Sequence, residues 1–75
     1  MTIYALKREI CDAKSGTERV QTVGIYSSPE KARCKAAELL EKECGKVGMA
    51  TERQLWTDFD FGRIVYFISD YVLDA

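Results

Sequence analysis

Gly24-Ile25-Tyr26-Ser27-Ser28-Pro29-Glu30-Lys31-Ala32 decides the fold. An extended run of β-branched and aromatic residues stops at two serines, and a proline opens a helix. Ser28 suits the N-cap, where its hydroxyl accepts a hydrogen bond from a free backbone N–H, and Pro29 suits the first helical position, where its missing N–H is no loss. Ser27 with Glu30 offers a capping box one residue earlier. The junction predicts a strand ending near Tyr26 and a helix beginning at Pro29.

Downstream, residues 29–44 are mostly Ala, Leu, Glu, Lys and Arg, which lose little side-chain freedom in a helix, and Gly45 supplies the stop. Ala32, Ala36, Leu39, Leu40 and Cys44 recur at helical spacing and predict one apolar stripe lying on a sheet, with small alanines allowing close approach. Glu38 and Lys42 stand in the favourable i,i+4 order on the wet side.

Upstream, Ile3 to Cys11 reads as a first strand, with Tyr4, Leu6 and Ile10 on one parity and Ile3, Ala5 and Cys11 on the other. Asp12 to Thr17 carries turn chemistry around Gly16. Glu18 to Ser27 returns as a second strand in which Val20, Thr22 and Tyr26 oppose Val23 and Ile25, and Gly24 marks a bulge or a close approach. Beyond the helix, residues 46–53 form a connector with room for a short extended or helical turn. Gln54 to Thr57 reads as a short strand, Asp58 to Arg63 as a loop, and Ile64 to Leu73 as the longest strand. The order β-β-α-β-β predicts a single α+β domain over residues 1–75, with a three- to four-stranded antiparallel sheet and one helix packed on one face.

Composition limits function. A chain of 75 residues with net charge −1 and charges of both signs has no field to steer it onto a polyanion or an acidic membrane. Cys11, Cys34 and Cys44 contain no C-x-x-C pair, and two helical cysteines at 34 and 44 lie about 15 Å apart along the axis. With no histidine to complete a zinc site, the cysteines read as small thiols in a reducing compartment. Met1-Thr2-Ile3-Tyr4 does not read as a leader, and the longest apolar run, Ile64 to Ile68, falls far below the roughly 18 residues that span a bilayer; the expectation is a cytoplasmic chain without a membrane anchor.

The opening Ile3-Tyr4-Ala5-Leu6, the Gly24-Ile25-Tyr26-Ser27-Ser28-x-Glu30-x-Ala32 junction and the closing Phe67-Ile68-x-x-Tyr71-x-Leu73-Asp74 together resemble a group of small phage and bacterial domains. The motifs are structural ones. The resemblance implies a small accessory protein of the mobile-genome kind, for which binding and inhibiting another protein is a frequent task.

The last strand carries the functional reading. Val65, Phe67, Tyr71 and Leu73 point one way, and Ile64, Tyr66, Ile68 and Val72 the other, so both faces are apolar. One helix covers one face; the second must meet the segment holding Trp56, Phe59 and Phe61, another copy of the chain, or a different protein. Asp70 marks where one parity becomes wet. The expected protein interface comprises Trp56, Asp58, Phe59, Asp60, Phe61, Arg63, Tyr66 and Ile68, with Trp56 favoured as core bulk ahead of anchor.

Asp58 and Asp60 fit Mg²⁺ only if further oxygens converge, and a polar loop with aromatic plugs explains them as well. Asp60-Phe61-Gly62 matches a kinase magnesium loop without the other kinase parts. Tyr4, Tyr66, Lys7, Arg8 and Arg63 are the candidates for a nucleic-acid surface, against which the charge balance argues. No cysteine has a neighbouring base and no glycine loop cradles a phosphate, so no catalytic residue, metal or cofactor is expected. The leading expectation is a non-enzymatic, phage-derived inhibitor that occupies a site on a larger host protein or complex; the alternatives are a self-associating homodimer and, third, a nucleic-acid-binding module.

Overall fold

The computed structural model describes residues 1–12, 18–59 and 62–73, and the backbone alone at residues 18 and 59. It contains β1 (Thr2–Asp12), β2 (Glu18–Tyr26), α1 (Pro29–Cys44), β3 (Met49–Ala50), β4 (Gln54–Phe59) and β5 (Gly62–Val72). The five strands form one antiparallel sheet in the order β2-β1-β5-β4-β3, with α1 packed against it. The α+β class with one helix on a sheet is as expected.

Helix α1 follows its sequence signals residue for residue. The Oγ of Ser28 accepts from the Lys31 N–H at 3.3 Å, Pro29 starts the helix, and Gly45 ends it at φ 78° with its N–H donated to the Glu41 carbonyl at 2.8 Å. Left-handed backbone is costly for residues with a Cβ, so glycine suits that last position. Ala32, Ala36 and Leu40 are fully buried, and Leu39 and Cys44 pack at the margin. On the outer side Glu38 pairs with Lys35, at 3.5 Å, rather than in the i,i+4 order with Lys42.

The sheet is longer and wider than the sequence suggested. β4 runs to Phe59 and β5 begins at Gly62, so Asp58 and Arg63, expected in a loop, are cross-strand partners. The connector after the helix contributes a fifth strand, β3, pairing Met49 with Trp56 and Ala50 with Leu55. Thr57 anchors it: the buried hydroxyl donates to the Lys46 carbonyl at 3.2 Å and accepts from the Gly48 N–H at 3.0 Å. The expected turn at 13–17 lies outside the described residues.

The register also corrects the facing of β2. Tyr4 pairs with Tyr26 and Leu6 with Gly24, but Lys7 pairs with Thr22, so Val23 is the extra residue of a bulge. One inserted residue reverses the alternation beyond it. Val20 and Thr22 therefore share a face with Ile25, not with Tyr26. Gly24 lies beneath Tyr26, and a Cβ there would stand 2.9 Å from that hydroxyl.

Between helix and sheet lies a core of Leu6, Ala32, Ala36, Leu40, Leu55, Tyr66 and Ile68, flanked by Tyr4, Tyr26, Val47 and Ile64. Strand alternation assigns every one of the strand residues in this set to the helix side.

Candidate functional site

The opposite side of the sheet follows from the same pairings. Ile3, Ala5, Lys7 and Glu9 of β1 meet Tyr71, Ser69, Phe67 and Val65 of β5. Ile25, Thr22 and Val20 of β2 flank Ala5, Lys7 and Glu9, while Gln54, Trp56 and Asp58 of β4 flank Phe67, Val65 and Arg63, with Met49 beyond Trp56. Among the described residues, no helix or strand packs on this face. Ile25 is 62 % exposed and Tyr71 45 %, and Val65, Phe67, Ile3 and Trp56 are half-buried by their neighbours alone.

Long basic side chains lie across its aromatics. The Lys7 ammonium donates to the Tyr71 hydroxyl at 2.6 Å and sits 5.2 Å from the ring centre, so its methylene stem lies along the sheet while the charge stays wet. The Arg63 guanidinium lies 5.7 Å from the Trp56 ring and forms a two-pronged pair with Asp58, one prong at 3.3 Å. These hydrogen bonds, followed by the carboxylate's charge, raise the Arg63 pKa further above its ordinary value. Arg63 is thus paired with Asp58, Glu9 on the same face accepts from the Cys11 thiol at 3.2 Å, and the face is apolar with charges of both signs rather than basic.

Of the expected interface residues, Trp56, Asp58 and Arg63 lie together on this open face. Asp60 and Phe61 lie outside the described residues, as does the Phe59 side chain. Tyr66 and Ile68 are corrected: they are 1 % and 6 % exposed beneath α1, because β5 turns that parity toward the helix. The same division separates the candidate nucleic-acid set, with Tyr4, Arg8 and Tyr66 on the helix side and Lys7 and Arg63 opposite. The chain's three cysteines are likewise scattered, with Cys34 exposed on α1 and Cys11 and Cys44 half-buried.

A polar cluster fastens the helix end to the sheet. Arg8 Nε donates to the Tyr66 hydroxyl at 3.1 Å, its terminal nitrogen pairs with Glu43, and the Tyr66 hydroxyl donates to the other Glu43 oxygen. Burial first, then the hydrogen bond to Glu43, pushes the Tyr66 pKa up to about 12. For Glu43 burial acts upward, but the hydrogen bonds from Arg8 and Tyr66 together with the Arg8 charge outweigh it and hold the carboxyl below its ordinary value. Arg8 is raised: burial opposes its charge, and the Glu43 contacts override that. Each polar group is spent on its neighbours, so the cluster acts as a structural rivet. Sequence reading missed it, because residues 8, 43 and 66 meet only through the tertiary fold.

Among the described residues no three Cys, Asp or Glu side chains converge to hold a metal ion, and no helix is long and apolar enough to cross a membrane. Comparison of the chain with protein families, curated proteins and solved structures finds no match. The open face therefore has to be read from its own chemistry.

Proposed function

We propose that this chain is a non-enzymatic protein-binding factor whose docking surface is the helix-free face of the sheet. The observation that carries the reading is the apolar tract Ile25, Val65, Phe67, Trp56 and Tyr71 on a face that α1 does not cover. Apolar surface left uncovered on a sheet face marks interaction sites, and aromatic residues there bring large contact area at small entropy cost. Charges of both signs beside the tract give no basic path for a phosphate backbone. Docking of this kind needs only such a surface, and the resemblance to small phage domains is in keeping with a binding role.

The test is site-specific photocrosslinking in cells that produce the full chain. A benzophenone side chain at Thr22, exposed on the open face, captures a protein; one at Glu38, on the outer side of α1, does not. Phe67→Asp abolishes the capture at position 22 while leaving the helical circular dichroism intact. Equal capture from both positions, or capture indifferent to Phe67→Asp, refutes the assignment of the surface.

A further inference from the structure

Resting on that docking reading, we infer that the occupant of the open face is a second copy of this chain, stacked sheet on sheet about a two-fold axis that crosses β1 and β5 between the Lys7–Phe67 row and the Glu9–Val65 row.

The register makes the face self-complementary. Lys7 and Glu9 are successive open-face residues of β1, and Phe67 and Val65 are their partners on β5. A two-fold axis across the strands at that point exchanges the two rows. Lys7 of each copy then lies over the partner's Glu9, and Phe67 over the partner's Val65, each contact occurring twice as an isologous interface requires. Gln54 meets the partner's Trp56 and Thr22 the partner's Val20 by the same operation. A foreign partner demands no such reciprocity within one strand.

Size and charge agree. The broad side of the molecule spans 44 by 23 Å between its extremes, an upper bound of about 1,000 Å² on the contact, and a standard stable interface takes roughly 800 Å² from each partner. Net charge is only −1, so two copies approach without appreciable repulsion. Stacked sheets lie about 10 Å apart, within reach of Lys7 and Glu9 once Lys7 leaves the Tyr71 hydroxyl and Glu9 the Cys11 thiol, against which they lie in the single chain. The assembly would be four layers, helix-sheet-sheet-helix, with Phe67, Val65 and Trp56 between the sheets and Ile25 and Tyr71 toward the ends of the contact.

Analytical ultracentrifugation of the whole chain, from micromolar to millimolar concentration, tests this by charge exchange. The wild type sediments as a dimer of the 8.5 kDa chain. Lys7→Glu places two carboxylates over one another at each contact, Glu9→Lys two ammonium groups, and each weakens self-association at least about tenfold. Mixing the two variants produces a tight heterodimer, and the double variant Lys7→Glu, Glu9→Lys dimerises like wild type. Recovery on mixing also shows that both single variants are folded. A monomeric wild type, single variants as dimeric as wild type, or no recovery on mixing overturns the self-pairing. A monomeric wild type still crosslinked at position 22 to a different protein overturns the second copy and keeps the docking surface. A monomer captured by nothing removes both.

Discussion

Replacing Glu43 with alanine removes both acceptors of the rivet between α1 and the sheet, and its cost can be worked from the geometry. Glu43 accepts from the Arg8 guanidinium and from the Tyr66 hydroxyl, with side chains 29 % and 21 % exposed at Glu43 and Arg8. A hydrogen bond to a charged group contributes about 1.5–3 kcal/mol when shielded from water, and partial exposure places this one at the low end. Against that, a carboxylate in the last turn of a helix faces the negative end of the helix dipole, so its removal returns about 0.3–1 kcal/mol. The net cost is about 1–2 kcal/mol, from a total stability of roughly 4–11 kcal/mol for a domain of this length. With a urea m-value of about 1 kcal/mol/M, the midpoint falls by about 1–2 M. The sign with pH follows from the lowered Glu43 pKa. A carboxyl depressed in the fold adds stability that is present above its ordinary value of 4.5 and is lost as pH falls through its folded pKa. The gap between wild type and Glu43→Ala therefore closes in acid. Above neutrality the raised Tyr66 pKa makes wild-type stability decline between pH 10 and about 12. In the variant, phenolate absorbance moves the Tyr66 midpoint down, because the hydrogen bond to Glu43 and its charge both raise it in the wild type. An unchanged urea midpoint at pH 7, or a gap as wide in acid as at neutrality, refutes the rivet.

Two further substitutions probe the sheet by urea titration. A Cβ at Gly62 would stand 1.8 Å from the Cys11 carbonyl oxygen, backbone against backbone, whereas one at Gly45 meets nothing within 4 Å; Gly62→Ala thus forces β5 off β1 at two terminal pairs and costs about 2–4 kcal/mol, Gly45→Ala only the left-handed strain of about 1–2 kcal/mol, and equal losses sink the close-contact argument. Thr57→Val keeps the shape of a buried side chain but leaves the Gly48 N–H and the Lys46 carbonyl without their hydroxyl partner, for a loss of about 1–3 kcal/mol; a neutral result means that the connector is not held there.

How much was legible in the sequence tracks how local the cause is. The helix was readable to the residue, because Ser28, Pro29 and Gly45 act on backbone groups within one turn of themselves. The double parity of β5 was readable too, since alternation along one strand needs no partner. Which parity meets the helix was not readable, and so Tyr66 and Ile68 were placed on an interface when they form the core. The connector stays open between a short extended and a helical turn in the sequence because Met49 and Ala50 carry no periodicity, and pairing with Trp56 and Leu55 is what makes them a strand. Asp58 and Arg63 resembled loop residues by composition, and their cross-strand salt bridge satisfies them within a hairpin. Lys7 and Glu9 stood in plain view two residues apart, but their meaning depends on the register that sets Phe67 and Val65 beside them.

The bulge at Val23 bears on how the open face is used. β2 is an edge strand of nine residues to whose outer side no other strand pairs among the described residues, and such edges invite another chain to add a strand. An extra residue breaks the even spacing of backbone donors and acceptors and increases the local twist, so a second strand cannot pair along the whole edge. The same insertion moves Val20 and Thr22 onto the open face beside Ile25 and leaves Arg19 and Gln21 on the other side, where both remain exposed. One residue thus obstructs association through the edge while keeping a charged arginine off the β2 margin of the apolar tract. Growth of the sheet sideways is discouraged, and contact across its face is left as the route by which this small domain can bury its second apolar surface.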